Sequence, residues 1–273
     1  MGLASENPRQ RRISVSAITT RDWDFAADVA GYKAAGLDAI GVWRNKLEAV
    51  GVTNGAAILR EHELPAANLV AIANFIGEGS RLEDGSLDDA RRGLDVAAAI
   101  GTDCVIAVPG RLHGRSPERA ADLAVEALSR LAPEAAAHGV RLALEPIHPD
   151  YMDFLSTLDQ TNALVRRVDH PAVGVLVDVW HLWQEPELER RLAEAGDRIF
   201  AVHLSDWREP TRGHNDRLVM GDGVIPLGRI VAALNAAGYD GYYDVEIFSE
   251  DLWQSEYPAL LARCRAWFQG LPA

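Results

Sequence analysis

The sequence predicts a single (β/α)8 TIM barrel, and three observations carry that prediction. Eight short β-branched or apolar runs alternate with Ala/Leu/Arg/Glu-rich segments, the pattern of repeated βα units around a parallel sheet. A helix-stopping glycine recurs just before strands. No Gly-rich phosphate fingerprint follows the first strand, as an open doubly wound sheet would favour, and a count of eight is the barrel's own number. The length of 273 residues suits one such barrel, which typically takes ~250.

Taken in order, the strands are expected at 13–18, 38–43, 68–73, 103–108, 140–145, 173–178, 199–204 and 242–247. Helical segments fill the gaps. The clearest runs from Pro117 to His138, with proline near its start, alanine and leucine at three- and four-residue spacing, and Gly139 beyond its end. Gly36, Gly101, Gly139 and Gly238 occupy equivalent places after helices, where a positive φ closes the helix, so they read as structural. The polar, basic stretch 1–12 is expected to be a loose tail, with the catalytic barrel spanning 13–273. The longest gap between elements, 206–223, precedes a helix expected near Pro226 and is a candidate wall of the site.

Composition narrows the function. With 48% hydrophobic and 25% charged residues the chain has the balance of a soluble globular protein. The formal net charge of −13 repels phosphate backbones and anionic membranes, but suits carboxylates gathered around a cation. Neither a nucleic acid nor a membrane is therefore expected as partner. No run reaches the ~18 apolar residues of a membrane span, and no secretory h-region appears at the start. Cys104 and Cys264 lie in apolar strand-like and helix-like runs and read as buried thiols of a reducing compartment, the cytoplasm.

In such a barrel, polar residues at the C-terminal ends of strands point into the active site. Strands five to eight end in Glu145, Asp178, His203 and Glu246, four metal-ligand types on four successive strands. A lone strand-end carboxylate is ordinarily a salt bridge or a helix cap. Three buried together need compensation, and a divalent cation supplies it most simply. A mainly oxygen donor set suits Mn²⁺ or Mg²⁺, with Co²⁺ and Zn²⁺ as further options.

On these residues the chain resembles the xylose isomerase-like barrel superfamily of sugar phosphate isomerases and epimerases. The resemblance spans about 13–270 and is densest in 142–149, 174–183, 200–207 and 243–249. It implies that Glu145, Asp178, His203 and Glu246 hold the metal, and that Glu145 and Glu246 face a bound sugar as base and acid. It also implies that His181, in Asp178-Val179-Trp180-His181, hydrogen-bonds substrate, and that the protein pairs with copies of itself as a homo-oligomer. The chain departs from ketohexose 3-epimerases six residues after Glu145, where they carry a second glutamate and this sequence has Tyr151.

The implied chemistry is metal-assisted removal of a proton α to a carbonyl through an enediolate. Return of the proton gives epimerisation or aldose-ketose isomerisation. Loss of a β-substituent gives the alternative, a lyase or dehydratase acting on an inosose or 3-keto-glycoside. An endonuclease-IV-like enzyme would require further histidines from strands two and three, where Trp43 and Ala73-Asn74 stand instead. A binding module without catalysis would not need all four ligand positions intact.

Further substrate contacts are expected from Trp43, Trp180 and Trp207, which fall with Trp183 and Trp253 at or just after strand ends and can stack on a ring. The same holds for His148 in the turn after Glu145, and for the basic residues His113, Arg208 and Arg217 in the loops after strands four and seven. Arg111, Arg115, Arg212 and His214 belong to the same two loops and are weaker candidates for a phosphate or carboxylate. Gly221-Asp222-Gly223 reads as backbone geometry and not as a phosphate cradle. No Gly-x-Ser-x-Gly, His-Glu-x-x-His or P-loop motif occurs.

Overall fold

The computed structural model describes residues 11–82 and 84–271. The strands are β1 (Arg12–Ser16), β2 (Ala39–Trp43), β3 (Ala66–Ala73), β4 (Cys104–Val108), β5 (Arg141–Leu144), β6 (Val173–Asp178), β7 (Ile199–Leu204), a short pair β8 (Asp206–Trp207) and β9 (Arg217–Leu218), and β10 (Tyr242–Val245). Eight of them close into a barrel in the order β1-β10-β7-β6-β5-β4-β3-β2, while β8 and β9 form a separate antiparallel ribbon. Every barrel pairing is parallel.

Around the barrel run α1 (Phe25–Ala34), α2 (Arg44–Val50), α3 (Val52–Glu61), α4 (Asp84–Ile100), α5 (Pro117–Ala137), α6 (Leu158–Val168), α7 (Val179–Leu182), α8 (Leu188–Ala195), α9 (Leu227–Ala236) and α10 (Tyr257–Gln269). Local chemistry sets their ends. Asp24, Ser116 and Thr157 accept the N–H groups of Ala27, Arg119 and Gln160 as N-caps, each worth about 1 kcal/mol. Gly36, Gly101, Gly139 and Gly238 have φ of +69°, +75°, +70° and +89°, the left-handed conformation expected of them.

Alternation along the strands separates two cores. Val105, Leu142, Leu144, Val173, Val175, Val177, Val202 and Leu204 join the helices in the large outer cluster. Cys104, Ile106, Ala143, Leu176, Phe200 and Ala201 form a smaller cluster of their own. Gly174 makes room for Phe200, since a Cβ there would lie 2.6 Å from the ring.

The strand boundaries differ from expectation at the mouth. β5 and β10 stop at Leu144 and Val245, so Glu145 and Glu246 sit one residue past regular pairing. Pro146, which lacks an N–H, cannot continue the ladder beyond Glu145. At the other end Arg12 already belongs to β1, bonding Asp240 O and lying 4.1 Å over the Tyr242 ring. The loose tail expected over 1–12 otherwise falls outside the described residues, apart from Arg11. Both cysteines are buried and free. Among the described residues no helix is long and apolar enough to cross a membrane.

Candidate metal centre and its aromatic surround

Strand register gathers the site before any side chain is considered. Asp178 of β6 pairs with His203 of β7, and His203 pairs with Asp244 of β10, so three polar residues share one level of the barrel. The backbone N–H groups of Glu145 and Glu246 still bond Ala107 O and Leu204 O at 3.1 and 3.0 Å, which fixes both just above that level. One ligand atom from each of Glu145, Asp178, His203 and Glu246 lies within 4.8 Å of the others. Asp178, His203 and Glu246 are buried, and Glu145 keeps some exposure.

This arrangement is electrostatically tense without an added cation. Burial, reinforced by Glu246, pushes the Glu145 carboxyl up to about 8. Burial disfavours ionised Asp178 as well, but the Arg217 guanidinium with His181 and His203 outweighs it and holds the group down at about 2. Burial likewise opposes a charged His203, yet Glu246, Asp244 and Glu145 raise it to about 10. His203 Nδ1 lies 3.2 Å from Glu246 Oε2, but neither ring nitrogen makes a well-formed hydrogen bond. Converging carboxylates and an imidazole with unsatisfied nitrogens fit a divalent ion.

Arg217 reaches this centre because β9 lies across the mouth, its backbone N–H on Phe248 O at 2.9 Å. Its Nη1 donates to Asp178 Oδ2 at 2.9 Å and Glu246 Oε2 at 3.3 Å. The guanidinium carbon lies 4.8 Å over both Trp180 and Phe248. The ribbon carrying it is knotted by Asp206, whose carboxylate accepts N–H groups from Trp207, Gly221, Gly223 and Ile225 at 2.8–3.0 Å. The Gly221-Asp222-Gly223 turn thus serves backbone geometry, and a Cβ on Gly223 would come 2.4 Å from Trp207 O.

His181 is buried beside the cluster. Its Nδ1 accepts the His148 N–H at 3.1 Å, while Nε2 lies 3.3 Å from Arg217 Nη2 and 3.7 Å from Asp178 Oδ2. Burial, with Arg217, His214 and His148 beside it, lowers this ring to about 3, so it stays neutral at ordinary pH.

Rings enclose the remaining space. Trp180 and Trp207 have centroids 4.6 Å apart, and His148 lies 5.6 Å from Trp207. Tyr151 and His214 meet edge-on at 4.9 Å, and His214 stacks 5.9 Å from His181. Trp43 stands half-buried, bonded to Ser16 Oγ at 2.9 Å and 5.6 Å from Phe248. The structure therefore brings His181, His148, Trp43, Trp180, Trp207 and Arg217 together around the acidic cluster.

His113 and Arg208 are placed differently. His113 is an exposed turn residue with φ +48°. Arg208 pairs with Asp216 at 2.9 Å and Asp251 at 3.3 Å, in a network shared with Arg212. Arg115 is bonded to the carbonyls of Ile76, Gly77 and Gly79, and Arg111 to Tyr151 O. These arginines tie loops together.

Sequence reasoning passed over Phe248 and Asp244 and kept His214 only as a loop cation. Asp244 carried a usable signal, since the strand period of two puts it on the same face as Glu246. Phe248 and His214 carried none, because their position depends on how the ribbon folds over the mouth.

Barrel and cluster together define the class: a closed eight-stranded α/β barrel with a four-residue group at its mouth that could hold a metal ion. The chain belongs to the xylose isomerase-like TIM barrel family, whose pattern matches residues 26–269. It is similar to a 3-dehydroshikimate dehydratase of Pseudomonas putida (29% identity, 60% of this chain, 26% of the relative). It is also similar to an inosose isomerase of Bacillus subtilis (27%, 59% of each) and a ketose 3-epimerase of Arthrobacter globiformis (26%, 74% and 70%). The chain thus spans about a quarter of the dehydratase and somewhat over half of the inosose isomerase.

Among solved structures, protein SMc04130 of Sinorhizobium meliloti superposes with TM-score 0.88 at 34% identity, covering 95% of this chain and 98% of that one. The IOLI protein, solved with a bound zinc atom, shares the fold at TM-score 0.84 and 21% identity, with 95% and 97% coverage.

Proposed function

We propose that this chain is a divalent-metal-dependent isomerase or epimerase of a small sugar-like hydroxy-carbonyl compound. The observation that carries the reading is the convergence of Glu145, Asp178, His203 and Glu246 within 4.8 Å, with both nitrogens of His203 lacking a well-formed hydrogen bond. These four residues would hold the ion, Mn²⁺ first by donor chemistry and Mg²⁺, Co²⁺ or Zn²⁺ otherwise. When bound, such an ion polarises a substrate carbonyl and its neighbouring hydroxyl, so that the α-proton becomes removable near neutral pH.

The chain's own residues supply the rest. Glu145 and Glu246 act as the acid–base pair, one carboxylate taking the α-proton and the other returning it. His181 hydrogen-bonds a substrate oxygen, and Arg217 sets the local charge and offers donors to a developing oxyanion. Trp43, Trp180, Trp207 and His148 pack against the substrate's carbon frame and exclude water.

A lyase or dehydratase on the same centre is the second reading, and one observation favours it. The mouth is walled by rings, with Tyr151 where ketohexose 3-epimerases have a glutamate, and the buried indole N–H groups of Trp180 and Trp183 lack a partner. That surround suits a hydroxylated six-membered ring such as an inosose or the sugar of a 3-keto-glycoside.

Product analysis by NMR on a ketose, inosose and 3-keto-glycoside panel with Mn²⁺ present decides between them. Mass-conserving turnover supports the isomerase reading. Release of water or an aglycone moves the enzyme to the lyase class.

A further inference from the structure

We infer that Asp244 is a positioning residue for His203: its carboxylate receives the ring's Nε2–H and thereby turns Nδ1 toward the cation. The inference rests on the metal reading above. His203 stands between two carboxylates, Nδ1 at 3.2 Å from Glu246 Oε2 and Nε2 at 3.7 Å from Asp244 Oδ2. The first carboxylate belongs to the converging cluster and the second does not. In a neutral imidazole one nitrogen carries the proton, and the partner of that nitrogen decides which one is free to ligate.

The surroundings of Asp244 are built for it. Its Oδ1 accepts Ser14 Oγ at 2.7 Å and its Oδ2 accepts Asn68 Nδ2 at 3.0 Å, and all three residues are buried. Register places it between Ser14 of β1 and His203 of β7. Gly41 of β2 leaves the space it occupies, since a Cβ there would come 2.2 Å from Oδ2.

Such a group is out of character for a barrel interior, which branched apolar side chains normally fill. Stability alone does not account for it. Asn68 spends its amide on Asp244 while its own Oδ1 is buried without a partner, an arrangement that apolar replacements would improve. The two donors hold the carboxylate still and leave Oδ2 facing Nε2.

The test uses the full chain stripped of metal, with Mn²⁺ and Zn²⁺ affinities measured by competition against a chelating dye. Asp244→Asn is expected to weaken both by 10- to 100-fold, the usual range for loss of such an outer partner, while the melting curve of the ion-free protein stays cooperative. Gly41→Ala, which crowds the carboxylate without removing it, is expected to weaken them several-fold.

A measurement on the unaltered protein stands beside the variants. The ¹H–¹⁵N spectrum of the zinc-loaded chain is expected to show His203 protonated at Nε2 and zinc-bound at Nδ1. Wild-type affinity in both variants, or zinc on Nε2, overturns the inference while leaving the metal reading standing. A wild-type chain that binds neither ion overturns the metal reading and this inference with it.

Discussion

Replacing Glu145 with glutamine should stabilise the ion-free protein at high pH and remove its response to metal. Burial and Glu246 hold the Glu145 carboxyl at about 8 against an ordinary value of 4.5. A carboxyl raised on folding contributes stability that is complete below its unfolded pKa and is lost as pH rises through its folded one. At pH 9 keeping Glu145 charged in the ion-free site costs on the order of 5 kcal/mol from this shift, brought down to roughly 2–3 by the solvent that reaches it.

Glutamine removes that charge at nearly constant shape. The melting temperature of EDTA-stripped Glu145→Gln should therefore exceed wild type by about 5–10 °C at pH 9, taking ~2–4 °C per kcal/mol for a chain of this size. At pH 5 the two should nearly coincide. Adding Mn²⁺ at 100 times its Kd should stabilise wild type by ~2.7 kcal/mol and the variant far less. Differential scanning calorimetry across pH measures all three. A variant destabilised equally at pH 5 and pH 9 would refute the reasoning, because Glu145 would then not be a strained buried carboxyl.

Metal affinity should fall steeply with acidity, since Glu145 at about 8 and His203 at about 10 both lose protons on binding. Titrations between pH 6 and 8 should give a slope of about two protons per ion, and a slope near zero would contradict the ligand assignment. Arg217→Met strands the Asp178 and Glu246 charges and should lower ion-free stability by about 3–5 kcal/mol. Mn²⁺ should restore more stability in this variant than in wild type, as thermal melts with and without the ion will show. Asp206→Ala orphans the N–H groups of Trp207, Gly221, Gly223 and Ile225 and should cost about 3 kcal/mol. It should also raise KM by loosening the ribbon that presents Arg217, so an unchanged melt would count against the knot.

The strands and the four converging side chains were legible for one reason. Barrel strands announce themselves as short apolar runs, and a titratable residue at the end of such a run has few structural excuses. Glu145, Asp178, His203 and Glu246 each interrupt an apolar sequence and fall together in space. The loops gave much less. Arg208, Arg217 and His113 look alike in sequence, yet one is consumed by Asp216 and Asp251, one is buried against Asp178, and one is exposed. What separates them is the β8–β9 ribbon, whose path depends on the four N–H bonds to Asp206 and not on any local pattern. Asp244 was readable from strand period, but its purpose emerges only from Ser14, Asn68 and Gly41, which lie far off in the chain and meet it across the barrel.

The central claim is removal of a proton α to a carbonyl at a metal held by Glu145, Asp178, His203 and Glu246. It is tested most directly by turnover in D₂O with one Mn²⁺ per chain, using the ketose, inosose and 3-keto-glycoside panel and following products by NMR, with Glu246→Gln and EDTA-treated protein in parallel. The account predicts a solvent deuteron at the α-carbon of recovered substrate or product, lost in both controls. Turnover that survives metal removal, or proceeds without exchange at that carbon on every active substrate, would contradict it.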